Sequence, residues 1–353
     1  MTFNSFLWFD TNFFPWLFLS FILNAMAVYF WRMGMHTHLG VKKYRAIQRI
    51  HLDEIPRLGG LVLILSFIGY LFHNSTDENS KAILLSLCPV IIFSLKEDLF
   101  HNVTPMVRLL TLFFSSFIFI YFHQGSWPII DLPALQGALS TTLGICLFYP
   151  LAITAISNGM NLIDGVNGLC AATTVSILGS LLFLSHATLD TAYMMTIMAL
   201  IMLLGIFLIF NYPYGKIFLG DLGAYSLGVL SSILTIIFYA KHPELPTWGA
   251  VLILIYPATE IIYTVARRVR RGASLHKPDT EHLHMKLFTF LRSLPPTKRL
   301  ANAMVTPSLT LVWIFPLIVL PWVFKQTALI FLAIILFIII YVTYYMIADR
   351  LRT

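Results

Sequence analysis

The chain has 353 residues, of which 58% are hydrophobic and only 11% charged, with a formal net charge of +7. A soluble domain would carry about 25% charged residues, so a water-soluble globule is excluded and no nucleic-acid partner is expected. Repeated apolar runs, several able to cross ~30 Å of hydrocarbon, predict an all-α, polytopic integral membrane protein.

Eleven candidate spans follow in chain order: 12–31, 58–73, 81–96, 109–123, 138–157, 170–186, 191–210, 222–240, 248–266, 306–324 and 328–347. The first has no basic region before it and ends at Trp31-Arg32 without a small-residue cleavage site, which favours a retained span over a signal peptide. Cys88, Cys146 and Cys170 fall in or beside apolar runs without metal-ligand spacing and are expected as small core residues. Residues 1–353 read as a single transmembrane domain. Its functional loops lie at about 32–57, 96–108, 157–169, 211–222 and 267–305.

Charge sorts these loops. With the N-terminus outside, one side carries 20 of the 23 Lys and Arg, leaving Lys81, Lys241 and Lys325 opposite. The positive-inside rule makes the crowded side cytoplasmic and, with an odd number of spans, places the C-terminus there. Anionic lipid head groups or phosphorylated substrates would be drawn to that face; ordinary topogenesis accounts for most of the charges.

Among the carboxylates, Asp10, Asp77, Glu78, Asp131, Asp190 and Glu244 read as solvated outer residues. Glu97-Asp98, Asp164 and Asp221 fall at cytoplasmic ends of spans, with no acid expected at a midplane. Proton relays more often place acids within the span. Acids gathered on one rim beside Lys and Arg point instead to a phosphorylated, metal-bound substrate. Glu97-Asp98 as a plain helix end is the competing reading, although a helix C-terminus disfavours acids.

The segment Ser157-Asn-Gly-Met-Asn-Leu-Ile-Asp-Gly-Val-Asn-Gly-Leu169 is a polar, glycine-punctuated island between apolar runs. Asn158, Asn161, Asp164 and Asn167 recur every three residues, so successive pairs neighbour one another on a helix. Three residues fall about 60° short of a turn, so all four cannot share a face. Asn161 and Asp164 are the expected working pair, with Asn158 or Asn167 turned away. The glycines either admit a ligand or mark close helix packing.

Asp221, between Gly220 and Gly223, opens a span and reads either as a helix cap or, with Asn211 and Lys216 upstream, as part of a ligand site. His282 and His284 lie in the longest basic loop, and on a helix would point about 200° apart, a weak metal signal.

Together these pieces resemble the polyprenyl-phosphate N-acetylhexosamine-1-phosphate transferases, the superfamily that also holds phospho-MurNAc-pentapeptide translocase. The resemblance runs from Pro56-Arg-Leu-Gly-Gly60 to His284, with the motifs in family order. Asn158-x-x-Asn161-x-x-Asp164-Gly-x-x-Gly-Leu169 and Phe218-Leu-Gly-Asp221-x-Gly are specific together, whereas Pro-x-x-Gly-Gly and His-x-His are weak alone. The resemblance implies transfer of a sugar-1-phosphate from a UDP-sugar to polyprenyl (undecaprenyl) phosphate, releasing UMP and starting an envelope glycan such as O-antigen. It implies Mg²⁺, with Mn²⁺ as the alternative ion, at Asp221 and Asp164. Glu97, Asp98, Asp164 and Asp221 become the catalytic set, with Glu97 as the proposed base. Arg57, Arg108, Asn158, Asn161, Asn211, Lys216, His282 and His284 become the substrate-binding set. It further implies a bacterial inner-membrane location with the site facing the cytoplasm, contact with membrane lipids, and a homodimer.

This sequence departs from the family at Glu97, where Asp is usual, at Asn167, where many members have a second Asp, and at His101, where a lysine often stands. Phosphate contact would then fall to Arg108 or Arg57. The translocase's triple histidine is absent, which favours the sugar-1-phosphate branch. A lipid phosphate is already largely ionised near neutral pH, its second pKa resembling the ~6 of phosphoserine. Glu97 as base and a carboxylate as nucleophile therefore stay open alternatives. The competing classes are a transporter for a phosphorylated or anionic solute, supported by broken polar segments, and a non-catalytic scaffold.

Overall fold

The computed structural model describes residues 13–34, 55–74, 78–130, 132–272, 279–294 and 297–352. Asp10, Asp77, Asp131, the Glu78 side chain and the basic residues of 35–54 lie outside the described set.

Among the described residues the fold is entirely helical. In order the helices are α1 (Phe14–Arg32), α2 (Gly59–Asn74), α3 (Glu78–Phe100), α4 (Pro105–Phe122), α5 (Pro133–Leu139), α6 (Thr142–Ile163), α7 (Leu169–Ala187) and α8 (Thr191–Asn211). They continue with α9 (Gly220–Lys241), α10 (Trp248–Ile253), α11 (Ile255–Arg270), α12 (Leu283–Ser293), α13 (Lys298–Ser308), α14 (Thr310–Trp313), α15 (Phe315–Val323) and α16 (Thr327–Arg352). Each of the eleven expected runs lies on helix. Among the described residues eight helical stretches are long and apolar enough to cross a membrane, counting α13 to α15 as one; α2 is apolar but shorter.

Boundaries moved where caps and prolines intervene. The expected 138–157 span starts at Thr142, because the Thr141 hydroxyl caps α6 by accepting the Gly144 N–H at 3.0 Å. The expected 306–324 span begins at Lys298 behind the Thr297 cap. It breaks around Leu309 and Ile314, where Pro307 and Pro316 withhold their N–H groups from the helix ladder.

Helix α9 is the centre of the molecule. Its apolar stretch is wholly buried, packed by α6, α3, α2, α7 and α4, as expected of a helix apolar on every side. A Cβ on Gly228 would sit 2.4 Å from Ser157 Cα, so α6 and α9 touch backbone to backbone. Helices α1 and α16 are peripheral and expose Phe18, Phe21, Leu332, Ile335 and Ile339. Exposed apolar surface on this scale suits lipid, not water.

Two expectations need correction. Of the three cysteines only Cys170 is core; Cys88 is exposed and Cys146 half-buried, because both lie on outward faces. Asp190 is more than solvated surface: it caps α8 by accepting the Tyr193 N–H at 3.2 Å, with Lys241 and His242 each 3.6 Å away.

Candidate active site

The site forms where the C-terminal ends of α3 and α6 meet the N-terminal end of α9. The turn before α9 is set by the Pro56-to-Gly60 motif. Phe218 donates its N–H to the Pro56 carbonyl at 2.8 Å, and the Gly59 and Gly60 N–H groups donate to Phe218 and Leu219 carbonyls at 3.0 Å. A Cβ on Gly60 would lie 2.4 Å from Gly223 Cα, so these two glycines let α2 approach α9.

The α9 cap is not its own acid. The Asp98 carboxylate accepts the N–H groups of Asp221 and Leu222, both at 2.9 Å. Asp98 is buried, and Arg57 stands 3.6 Å from it. The acid that looked misplaced at the end of α3 therefore faces the positive end of α9. Gly220 has φ +74, and a Cβ there would fall 2.6 Å from Asp98 Oδ2, so glycine is required on both counts.

Arg108, on the first turn of α4, bridges two acids. It donates to Glu97 Oε1 at 2.6 Å and to Asp221 Oδ2 at 3.0 Å, while its Nε donates to the Val103 carbonyl. The other Glu97 oxygen accepts the Val103 N–H at 2.8 Å. Asn161 donates to the remaining Asp221 oxygen at 3.3 Å. Glu97, Arg108 and Asp221 also line a narrow cleft with Phe93, Ser94, Thr111, Leu112 and Tyr225. His101 lies 4.0 Å from Glu97 in the left-handed region, φ 50. Burial and Arg57 hold its imidazole below the usual range, with Arg108 adding and Asp221 opposing. It is a poor substitute for a permanently charged lysine.

Asp164 is the open acid. It caps the C-terminus of α6, and no side-chain partner of its carboxylate is found among the described residues. Burial raises it well above the usual carboxylate range; Arg57 opposes, and Asp221 and Asp98 add to the shift. Asn158, six residues earlier, is half-buried and likewise without a side-chain partner among the described residues.

Asn167 and Asn211 do other work. Asn211 accepts the Gly168 N–H at 2.7 Å and donates to the Ile217 carbonyl at 2.8 Å. Asn167 donates to the Pro213 carbonyl at 2.9 Å, and its own N–H reaches Asn302 Oδ1. Both are buried and tie the 164–168 turn to the 212–217 loop. Lys216 is exposed, with no side-chain partner among the described residues.

The histidines do not diverge. His282 is the residue before α12 and extended, so its ring stacks parallel on His284, centroids 5.8 Å apart. A Cβ on Gly165 would fall 2.1 Å from His284 Nε2, which puts the histidines against the island beside Asp164. His282 Nδ1 lies 2.9 Å from Glu260 Oε1, and Tyr341 donates to Glu260 Oε2 at 2.8 Å. Glu260 was missed from sequence and adds a carboxylate within the 248–266 run to those at the ends of spans. A lone acid in an apolar run was the available signal.

Among the described residues no three His, Cys, Asp or Glu side chains converge as a preformed metal cage. The donor set still suits a hard cation of the magnesium type. Such ions are usually held by one or two carboxylates plus substrate phosphates, not by an all-protein cage. Asp164 supplies a carboxylate unpaired among the described residues, and Asp221 one now held by Arg108 and Asn161.

Fold and site together define a multi-pass helical membrane protein with an acidic, arginine-bridged centre at one rim. The chain belongs to glycosyl transferase family 4, whose model matches residues 80–239. It is 30% identical over 234 residues to a UDP-N-acetylglucosamine–dolichyl-phosphate N-acetylglucosaminephosphotransferase of Saccharolobus solfataricus, covering 64% of this chain and 70% of that protein. Against an undecaprenyl-phosphate N-acetylglucosaminyl 1-phosphate transferase of Bacillus subtilis it is 26% identical over 250 residues, 69% of this chain and 68% of the other. A phospho-N-acetylmuramoyl-pentapeptide-transferase of Streptococcus pneumoniae is 24% identical over 267 residues, 72% of this chain and 79% of its own.

Proposed function

We propose that the protein transfers an N-acetylhexosamine-1-phosphate from a UDP-sugar to polyprenyl phosphate in the bacterial inner membrane, at the start of an envelope glycan. A lipid phosphate oxygen forms the new bond to the β-phosphorus. The bond from that phosphorus to the bridging oxygen breaks, and the electron pair leaves with UMP. The observation that carries this reading is the meeting of Asp221, Asn161, Glu97 and Arg108 at one helix terminus, with the unpaired Asp164 nearby. The names of the relatives support the substrate class.

Phosphoryl transfer between phosphates needs charge neutralisation and in-line positioning more than a strong base. Asp221 and Asp164 would hold Mg²⁺, which when bound offsets charge on the diphosphate. Arg108 and Arg57 supply fixed positive charge, and Arg108 is aimed by Glu97. Both Glu97 oxygens are engaged, by Arg108 and by the Val103 N–H, which favours an orienting role over a base. Asp98 holds the first turn of α9 and through it Asp221. The basic excess on the motif side supports a cytoplasmic site, with eleven spans, the N-terminus outside and the C-terminus inside.

The test is an assay of purified protein with undecaprenyl phosphate, Mg²⁺ and a panel of UDP-sugars. UMP should appear together with a lipid-diphosphate sugar from one UDP-N-acetylhexosamine. Absence of UMP with every sugar, alongside uptake of a phosphorylated solute into proteoliposomes, would favour the transporter reading.

A further inference from the structure

Glu260 is buried within an apolar stretch of α11, and no Lys or Arg among the described residues pairs with it. Its two oxygens are instead committed to His282 Nδ1 at 2.9 Å and to the Tyr341 hydroxyl at 2.8 Å. Thr264, one turn along the same helix, places its hydroxyl 3.4 Å from the same ring nitrogen. Such a carboxylate fixes which nitrogen of a histidine carries the proton and how the ring is turned.

The two histidines then separate in role. His284 is sealed, its Nδ1 has no partner, and its ring rests on Gly165 beside Asp164. His282 stacks on His284, and its Nε2 has no partner among the described residues and is not among the sealed polar atoms. Among the described residues, His282 Nε2 is thus the ring nitrogen of the pair that is oriented from behind and left without a partner, on a side chain 6% exposed.

We propose that Glu260, supported by Tyr341, is a positioning residue that holds His282 by Nδ1 and turns Nε2 toward a phosphate of the nucleotide sugar. This rests on the transferase reading above. Glu260 touches no substrate; it acts through His282.

The experiment uses the full-length protein in detergent with UDP-GlcNAc, undecaprenyl phosphate and Mg²⁺, and measures both KM values and kcat. Glu260→Gln keeps the shape and an acceptor but removes the charge. It should raise the KM for UDP-GlcNAc about tenfold, by analogy with the lower end of losses when the carboxylate behind a metal-bound histidine is removed. The KM for undecaprenyl phosphate should not change. Glu260→Asp should recover part of the loss, and Glu260→Gln combined with His282→Gln should be no worse than His282→Gln alone.

An unchanged KM for UDP-GlcNAc in Glu260→Gln, or losses that add in the double variant, would overturn the assignment. Should Glu260→Gln fail to fold, Tyr341→Phe carries the test, because it removes one hydroxyl and leaves the ring. It should raise the same KM about threefold, the worth of a modest hydrogen bond, and no change there would overturn the assignment equally. A wild-type protein that releases no UMP sinks the transferase reading and this assignment with it, an outcome distinct from an active wild type with an indifferent variant.

Discussion

The Asp98 carboxylate grips the backbone N–H of Asp221 at 2.9 Å and that of Leu222 at the same distance. An acid at the end of α3 thereby caps α9 and decides where the Asp221 side chain stands. Asp98→Ala would leave two buried donors unpaired at about 1–3 kcal/mol each at most. Both the apparent Tm and the rate of UMP release should fall. Asp98→Asn keeps an acceptor and should lower Tm less. A normal Tm in Asp98→Ala with turnover lost would make Asp98 chemical instead of a cap.

Arg108 joins Glu97 to Asp221 through two different guanidinium nitrogens. Lysine carries the charge on a single point and cannot reproduce that fork. Arg108→Lys should therefore lower kcat/KM about tenfold, a loss of ~1.4 kcal/mol, while leaving Tm close to wild type. Equal activity of the lysine variant would remove the bridging geometry from the account.

Gly165 admits the His284 ring, since a Cβ there would sit 2.1 Å from Nε2. Gly165→Ala must push the histidine pair away from Asp164. It should cost about 1–3 kcal/mol and reduce turnover. Gly205 on α8 is the control: a Cβ there meets nothing within 4 Å. Gly205→Ala should be neutral or stabilise by about 0.4–1 kcal/mol, and comparing the two variants by thermal unfolding and UMP release decides the point.

Burial and the adjacent His282 push His284 down to about 3, with Glu260 pulling the other way. In the unfolded chain the same ring titrates near 6.5. Between these values the unfolded state binds more protons, so stability must fall as pH drops through that window. The slope from this one group is at most about 1.4 kcal/mol per pH unit. Apparent Tm measured from about pH 7 to about pH 5 should decline less steeply in His284→Gln than in wild type. Parallel declines would contradict a buried, neutral His284.

Much of the architecture was legible because bilayer length leaves its mark locally: each of the eleven apolar runs lies on helix. The gathering of Glu97, Asp98, Asp164 and Asp221 was also readable, since all four close or open apolar runs. What the chain did not disclose is pairing at distance. Asp98 lies 123 positions from the N–H that it caps, and Arg108 lies 113 from Asp221. Asn167 and Asn211 looked like ligand amides but hold loop backbone, because an asparagine's donor and acceptor serve either purpose. His282 and His284 would diverge only on a helix, and at His282 the chain is still extended. Glu260 was passed over because its apolar surroundings hid it among span residues.

Asp221→Asn tests the central claim most directly, because it changes one oxygen to an amide at the meeting point of Arg108 and Asn161. UMP release from UDP-GlcNAc with undecaprenyl phosphate should drop to background across the whole Mg²⁺ range. Arg108 and Asp221 are 28% and 14% exposed, and the amide keeps the shape and one acceptor oxygen, so Tm should fall less than on truncation to alanine. A variant that keeps wild-type UMP release would show that Asp221 neither holds the metal nor organises the phosphates.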